Sequence, residues 1–133
     1  MSLAAATLLL FVSNQVNAQA GDLSNLVGTW SITGSKKDNI LCPKQDATLA
    51  YQWVLTVEAD GTATASVLGK TFFPSLAGKV VGDRLTLTGE SGDRTALSGF
   101  DLRIGPDFAS LTGERATVGN KEYCTWSVKG KKL

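Results

Sequence analysis

The chain has 133 residues, of which 43% are hydrophobic and 19% are charged. This length accommodates one domain, and such a composition is ordinary for a globular protein with a real core. The 13 basic and 12 acidic residues give a net charge of +1 and are scattered along the chain. Because nucleic-acid binding uses a basic stripe or patch, no nucleic-acid partner is expected.

The opening segment, residues 1–20, has the pattern of an export signal. It is uncharged, its apolar part runs from Leu3 to Val12, and the small residues Ala18 and Ala20 follow a polar stretch. The apolar run is too short for a membrane-spanning helix, which needs about 20 such residues. We therefore expect a cleaved signal peptide at 1–20 and a mature domain at 21–133. The mature domain is expected to be secreted or periplasmic, with no stable membrane insertion after cleavage.

Two cysteines, Cys42 and Cys124, lie in the predicted mature domain. An even number of cysteines in an exported protein is typical of disulfide bonding. We therefore predict a Cys42–Cys124 disulfide, and the alternative is a pair of buried free thiols.

The mature segment consists of short runs rich in Val, Ile, Thr and aromatic residues, separated by turn residues such as Asp60-Gly61. Runs of this kind are typical of strands, and none has the spacing of an amphipathic helix. Eight strands are predicted at 27–33, 51–58, 62–67, 76–81, 84–88, 97–104, 109–117 and 122–129. The long irregular stretch 34–48 is predicted to be a surface loop tethered by the disulfide.

Successive strands joined by short turns are antiparallel neighbours. Eight such strands either close into a barrel or form two packed sheets, and closure removes the exposed edges. We therefore predict an all-β fold, a single antiparallel up-and-down β-barrel of about eight strands, with a β-sandwich as the alternative. The interior of such a barrel is either just filled by side chains or just able to hold one small ligand, and the sequence leaves both open.

The first strand contains Gly28-Thr29-Trp30, a Gly-x-Trp motif after a short polar lead. In an exported chain of this size with about eight strands, this motif resembles the calycin group, which includes the lipocalins, the avidins and their bacterial relatives. The resemblance implies that Trp30 caps one end of the barrel. The chain is also similar to some bacterial metalloprotease inhibitors, in which the segment before the first strand enters the protease.

The residue types that most catalytic sites need are absent. The chain contains no histidine, which excludes Ser-His-Asp and Cys-His machinery and removes the commonest ligand of zinc and copper. Asp60, Asp83, Asp93 and Asp107 lie in turns, where aspartate is favoured for its bonds to the local backbone. We therefore expect no enzyme activity, no catalytic residues, no metal and no cofactor. A barrel enzyme that uses carboxylates or a tyrosine is the remaining catalytic alternative.

These observations predict a non-catalytic binding protein that holds a small apolar or amphipathic ligand. Alternation along the strands places aromatic side chains on the inner face of the barrel. The candidate ligand contacts at the open end are Tyr51, Trp53, Phe72 and Phe100. The residues expected to close the other end are Gly28, Trp30 and Trp126. The alternative is a module with a protein partner, such as a protease inhibitor, that acts through the lead 21–26 and the loop 34–48.

Overall fold

A computed structural model of the chain describes residues 23–37, 41–69, 71–119 and 121–133. The predicted signal peptide lies outside these residues and stays a prediction. The described residues form eight strands preceded by a short 3₁₀ helix, Leu23–Leu26. Across these ranges, no helix has the length and apolar character needed to cross a membrane.

Each strand pairs antiparallel with the next one in sequence, and the last pairs with the first, so the sheet closes into a barrel. The strands are β1 Gly28–Lys36, β2 Thr48–Val57, β3 Thr62–Val67, β4 Ser75–Val81, β5 Arg84–Glu90, β6 Ala96–Ile104, β7 Ser110–Gly119 and β8 Glu122–Lys132. The predicted all-β up-and-down barrel is confirmed, and the sandwich alternative is wrong. The largest differences are at β1, β2 and β8, each of which extends three residues beyond a predicted end; in β1 and β2 the added residues adjoin the loop. Polar residues there pair across the ladder, as Ser35 does with Thr48.

Alternation along each strand separates the core from the solvent face. In β2, Trp53 and Leu55 are fully buried, while the intervening Val54 is exposed. Large residues of β2 face small residues of β3 across the hairpin, since Leu55 pairs with Ala65 and Val57 with Ala63. This match keeps the inner volume filled where the two strands approach the hairpin turn.

The two ends of the barrel differ, and we name them by what they carry. The helix end has the 3₁₀ helix, whose Leu23 and Leu26 are buried in the core. There the Trp30 Nε1 donates a hydrogen bond to the Leu26 carbonyl oxygen at 2.8 Å. The opposite end contains a cavity, and we call it the cavity end. It has the connections β1–β2, β3–β4, β5–β6 and β7–β8. The two ends therefore present different groups, and the only described helix belongs to the helix end.

Three of the four turn aspartates stabilise local backbone, as predicted. Asp60, Asp93 and Asp107 each accept a hydrogen bond from the amide two residues along, at 2.9, 3.1 and 3.1 Å. These contacts lower the pKa of Asp60, mainly through the backbone of its partner, and that of Asp93, mainly through a threonine hydroxyl. Asp83 instead lies 3.5 Å from Arg103, with both side chains exposed. Nothing in these four contacts requires a catalytic role.

Gly78 permits a close approach between β4 and β5. A Cβ atom at this position would lie 1.8 Å from the Thr86 carbonyl oxygen, which belongs to the backbone and cannot rotate away. Glycine in a barrel strand commonly marks such a close backbone approach. The local path of β4 past β5 therefore depends on the absence of a side chain.

Gly78→Ala is expected to lower the free energy of unfolding by about 3 kcal/mol, the upper part of the usual range for overpacking. The measurement is urea denaturation followed by tryptophan fluorescence. Gly99→Ala is the matched control, because its Cβ would meet no atom closer than 3.9 Å. Equal denaturation midpoints for the two variants would contradict the proposed close approach.

Candidate ligand-binding site

A cavity of about 280 Å³ lies at the cavity end of the barrel. Its walls come from several parts of the chain, including the β1–β2 loop, the β3–β4 loop and the adjoining ends of β6, β7 and β8. The aromatic wall residues are Tyr51, Phe72, Phe73 and Trp126, and the charged ones are Arg115 and Glu122. The site therefore combines aromatic surface with one group of each charge.

Arg115 occupies an inward position of β7. The inner face of this strand also carries Leu111 and Gly113, so alternation directs the arginine into the barrel. It pairs directly with Phe100 of β6 on one side and Trp126 of β8 on the other. Its side chain is only 5% exposed. The register of three strands therefore places a charged group between two aromatic residues.

Four aromatic rings surround the Arg115 guanidinium. Its central carbon lies 4.7 Å from the ring centre of Trp126, 5.3 Å from Phe73, and 5.5 Å from both Tyr51 and Phe100. A cation within about 6 Å of an aromatic ring is attracted by the negative charge on the ring face. These rings offset part of the cost of removing the cation from water.

The Arg115 charge is compensated only in part by polar partners. Its Nε donates a 3.0 Å hydrogen bond to Ser98 Oγ. Within the described residues it forms no ion pair with a carboxylate. Burial lowers the pKa of Arg115, and interactions with Tyr51 oppose that change. Because a guanidinium stays protonated in proteins, the site holds a buried cation. No carboxylate among the described residues forms an ion pair with it.

Two further polar atoms in the cavity walls are buried without a described partner. They are Trp126 Nε1, a donor, and Glu122 Oε1, an acceptor. The other Glu122 oxygen accepts a long hydrogen bond from Gln45 Nε2 at 3.4 Å. Buried polar groups are usually paired, so the walls offer unused hydrogen-bonding capacity as well as apolar surface.

The predicted disulfide is confirmed, and it forms part of this site. Cys42 of the β1–β2 loop is bonded to Cys124 of β8, with 5.2 Å between their Cα atoms. Lys36 Nζ adds hydrogen bonds to the carbonyl oxygens of Cys42 and Gln45, both at 2.7 Å. The loop is thereby held against the cavity wall. Glu122 lies close to both sulfur atoms, but disulfide sulfurs are not thiolate ligands for a metal.

The β3–β4 loop supplies two adjacent phenylalanines with different exposures. Phe73 is buried, while Phe72 is 51% exposed, and their rings meet edge to face at 5.4 Å. Thr71 Oγ1 accepts a hydrogen bond from the Phe73 amide, and the Gly92 amide donates to the Phe72 carbonyl oxygen. The loop is therefore connected to its neighbour, and Phe72 remains accessible at the mouth.

The four predicted ligand contacts lie at two depths. Tyr51 and Phe72 line the cavity itself. Trp53 and Phe100 pack edge to face at 4.8 Å and line a void of only about 10 Å³. Tyr51, Phe73 and Arg115 line both spaces. Trp53 and Phe100 therefore line a separate, smaller space that adjoins the cavity at these three shared residues.

The residues expected to close the barrel are separated by the structure. Gly28 and Trp30 lie at the helix end, where Lys132 packs beside Gly28. Trp126 instead pairs with Lys36 and lines the cavity at the opposite end. The placement of Trp126 beside Trp30 is thus corrected. Because β8 runs antiparallel to β1, the start of β1 adjoins the end of β8, and Trp126 lies six residues before that end.

Sequence reasoning did not single out Arg115 and Phe73 as site residues. A signal for Arg115 was present, because alternation from Leu111 through Gly113 puts it on the inner face. A charged residue at an inner position is unusual enough to mark a site. No comparable signal distinguished Phe73 from Phe72, since the two are adjacent in a loop.

An exposed apolar patch lies on the outer face of the barrel near the cavity end. Cross-strand pairing joins Leu97 to Val118 and Val118 to Tyr123, and all three are about half exposed. Leu41 and Phe72 are also more than half exposed at this end. Exposed apolar residues that occur singly are ordinary, but a contiguous group of them is typical of an interaction surface.

The closed eight-stranded antiparallel barrel is consistent with the calycin-like architecture expected from the Gly-x-Trp motif. Comparison with models of known protein families and with curated proteins finds no match to this chain.

Proposed function

We propose that this protein is an exported, non-catalytic binding protein that holds one small amphipathic molecule in the cavity end of its barrel. The observation that carries the proposal is the cavity of about 280 Å³, walled by Tyr51, Phe73 and Trp126 around Arg115. Most small-molecule sites are concave, mainly apolar and supplied with a few polar groups that orient the ligand. This cavity is concave, has aromatic side chains in its walls, and carries Arg115 and Glu122 as groups that can orient a ligand.

The size of the cavity limits the ligand. Its volume of about 280 Å³ is at the lower end of the range of roughly 300–1,000 Å³ usual for ligand pockets. Val118, which is about half exposed, provides further apolar contact at the edge of the cavity. A ligand of one or two rings, or a short alkyl chain, fits this space best.

Export is part of the proposal. The Cys42–Cys124 disulfide fits an oxidising compartment, where such bonds form and persist. The absence of histidine from the chain supports a non-catalytic role, because histidine is the commonest general acid or base.

The test uses two naphthalene probes of nearly the same shape, the anion 2-naphthoate and the neutral 2-naphthamide. Each is titrated into the disulfide-bonded mature chain by calorimetry. At least one probe is expected to bind with a stoichiometry of one. Ala96→Phe should reduce that binding at least tenfold, since Ala96 lines the cavity and the larger side chain occupies it. Ala77→Phe on the outer face of β4, where Ala77 is exposed, is the matched control and should bind like the wild type.

Failure of both probes to bind, or equal binding by the Ala96→Phe and wild-type proteins, would overturn the proposed function. Each variant is first checked by near-ultraviolet circular dichroism, so that loss of the fold is not counted as loss of the cavity.

A protein-binding module remains the second proposal, and the exposed apolar patch of Leu97, Val118 and Tyr123 favours it. It would act through the tethered β1–β2 loop, where Leu41 is 55% exposed. The lead is less suited to the role, because its Leu23 and Leu26 are buried in the core. Deleting the lead is therefore expected to destabilise the barrel, whatever its effect on inhibition of a protease.

A further inference from the structure

The cavity places a cation deep and a carboxylate near the mouth. Arg115 is directly opposite Trp126 in the β7–β8 ladder, whereas Glu122 lies four residues nearer the cavity end along β8. At about 3.3 Å per residue, this is an offset of roughly 13 Å between the two backbone positions. Glu122 therefore lies toward the mouth of the cavity, and Arg115 lies in its inner part.

The buried guanidinium has donors that the described protein groups do not use fully. It has five N–H groups, of which the one on Nε donates to Ser98 and another interacts with the Tyr51 side chain. Aromatic rings attract its charge but do not replace a carboxylate, which accepts two parallel hydrogen bonds from the guanidinium fork. A buried charge is normally paired, and no described carboxylate pairs with this one.

We propose that the cavity is selective for a small carboxylate, whose charged group is held by Arg115 while its apolar part lies between Tyr51, Phe72 and Trp126. This inference rests on the proposed function and specifies the chemistry of the ligand. The unpaired Trp126 Nε1 is a second donor available to the same anion. The half-exposed Phe72 covers the apolar part at the mouth.

The same arrangement has a purely structural explanation, in which the arginine only fills space among four rings. The two explanations differ in what the arginine contributes to binding. A space-filling arginine gives an anion no advantage over a neutral molecule of the same shape. A carboxylate site gives a large advantage, because hydrogen bonds to a charged group in a buried site are the strong ones.

The test compares 2-naphthoate with its neutral isostere 2-naphthamide at pH 7. Naphthoate is expected to bind the wild type about 10- to 100-fold more tightly, the range that corresponds to one or two charge-assisted hydrogen bonds. Arg115→Met should remove this preference by weakening naphthoate binding more than naphthamide binding, since methionine keeps a similar length and apolar stem but has no charge. Arg115→Lys, which keeps the charge but loses the fork, should restore part of the preference.

Arg103→Met is the matched control, because Arg103 is exposed on the outer face and its replacement should leave the preference unchanged. Equal affinities of the wild type for the two probes would overturn the carboxylate inference while leaving the binding function intact. A preference that survives in a folded Arg115→Met variant would also overturn it. If Arg115→Met does not fold, the wild-type ratio and the Arg115→Lys variant still decide the question. Binding of neither probe would instead mean that the proposed function itself has failed.

Discussion

Removal of the Cys42–Cys124 bridge is expected to lower the free energy of unfolding by about 4 kcal/mol. The two cysteines are separated by 82 residues, and the chain-entropy model assigns a bridge that closes so long a loop roughly 4.5 kcal/mol. Both residues are also buried, so their sulfur atoms contribute packing in the folded state. The variant is the double substitution Cys42→Ala and Cys124→Ala, measured by urea denaturation with tryptophan fluorescence.

The loss should also affect the site. The bridge holds the β1–β2 loop against β8, where Gln45, Glu122 and Cys124 line the cavity. We therefore expect weaker naphthoate binding in the double variant even at urea concentrations where it remains folded. Hydrogen exchange should show increased opening in this loop before the opposite end of the barrel.

Treatment of the wild type with a thiol reductant supplies the control. Reduction should shift the wild-type denaturation midpoint toward that of the double variant and leave the double variant unchanged. A double variant as stable as the oxidised wild type would show that the bridge does not restrict the unfolded chain enough to change stability, and the prediction would be wrong.

Trp30→Ala is expected to cost about 4 kcal/mol of unfolding free energy, within the range usual for truncating a buried tryptophan. Trp30 is fully buried in the core at the helix end, and its Nε1 is the donor to the Leu26 carbonyl oxygen. The substitution therefore leaves both an unfilled space and an unpaired carbonyl group. The 3₁₀ helix should detach from the barrel first, because this hydrogen bond joins it to β1.

Two companion variants separate the causes. Trp30→Phe keeps most of the ring volume but loses the donor, and should cost about 1–2 kcal/mol, the usual penalty for an unpaired buried acceptor. Tyr123→Ala, at an exposed aromatic position, should change stability by no more than about 0.5 kcal/mol. Naphthoate binding should be unaffected in folded Trp30 variants, since Trp30 lies at the end opposite the cavity. Equal losses for Trp30→Ala and Tyr123→Ala would contradict this account.

Local patterns account for what was predictable about the fold. The alternation of Tyr51, Trp53 and Leu55 marks one face of a strand, and Asp60-Gly61 marks the turn that follows. Such patterns involve residues only one to four positions apart, so they can be recognised without knowledge of the tertiary structure. Short connections then restrict the topology to a meander, and closure of eight strands removes both edges.

The sites could be predicted only in part for the same physical reason. Tyr51 was correctly expected to face the interior and Phe72 to lie at the mouth, because each follows from its own strand or loop. Trp126 was correctly assigned to the inner face but to the wrong end of the barrel. The face depends on a residue's own strand, whereas the end depends on where that residue lies relative to the neighbouring strands.

The sequence by itself therefore determined the all-β class, the approximate strands, their faces and the turns, and it favoured a closed barrel over a sandwich and a Cys42–Cys124 disulfide over free thiols. Only the tertiary structure decided that Arg115 lies among four rings without a described carboxylate, and that a cavity remains beside it. Those features depend on the summed volumes and charges of side chains from separate strands and loops. A periodic pattern specifies which side of a strand a residue occupies, but not what meets it across the barrel.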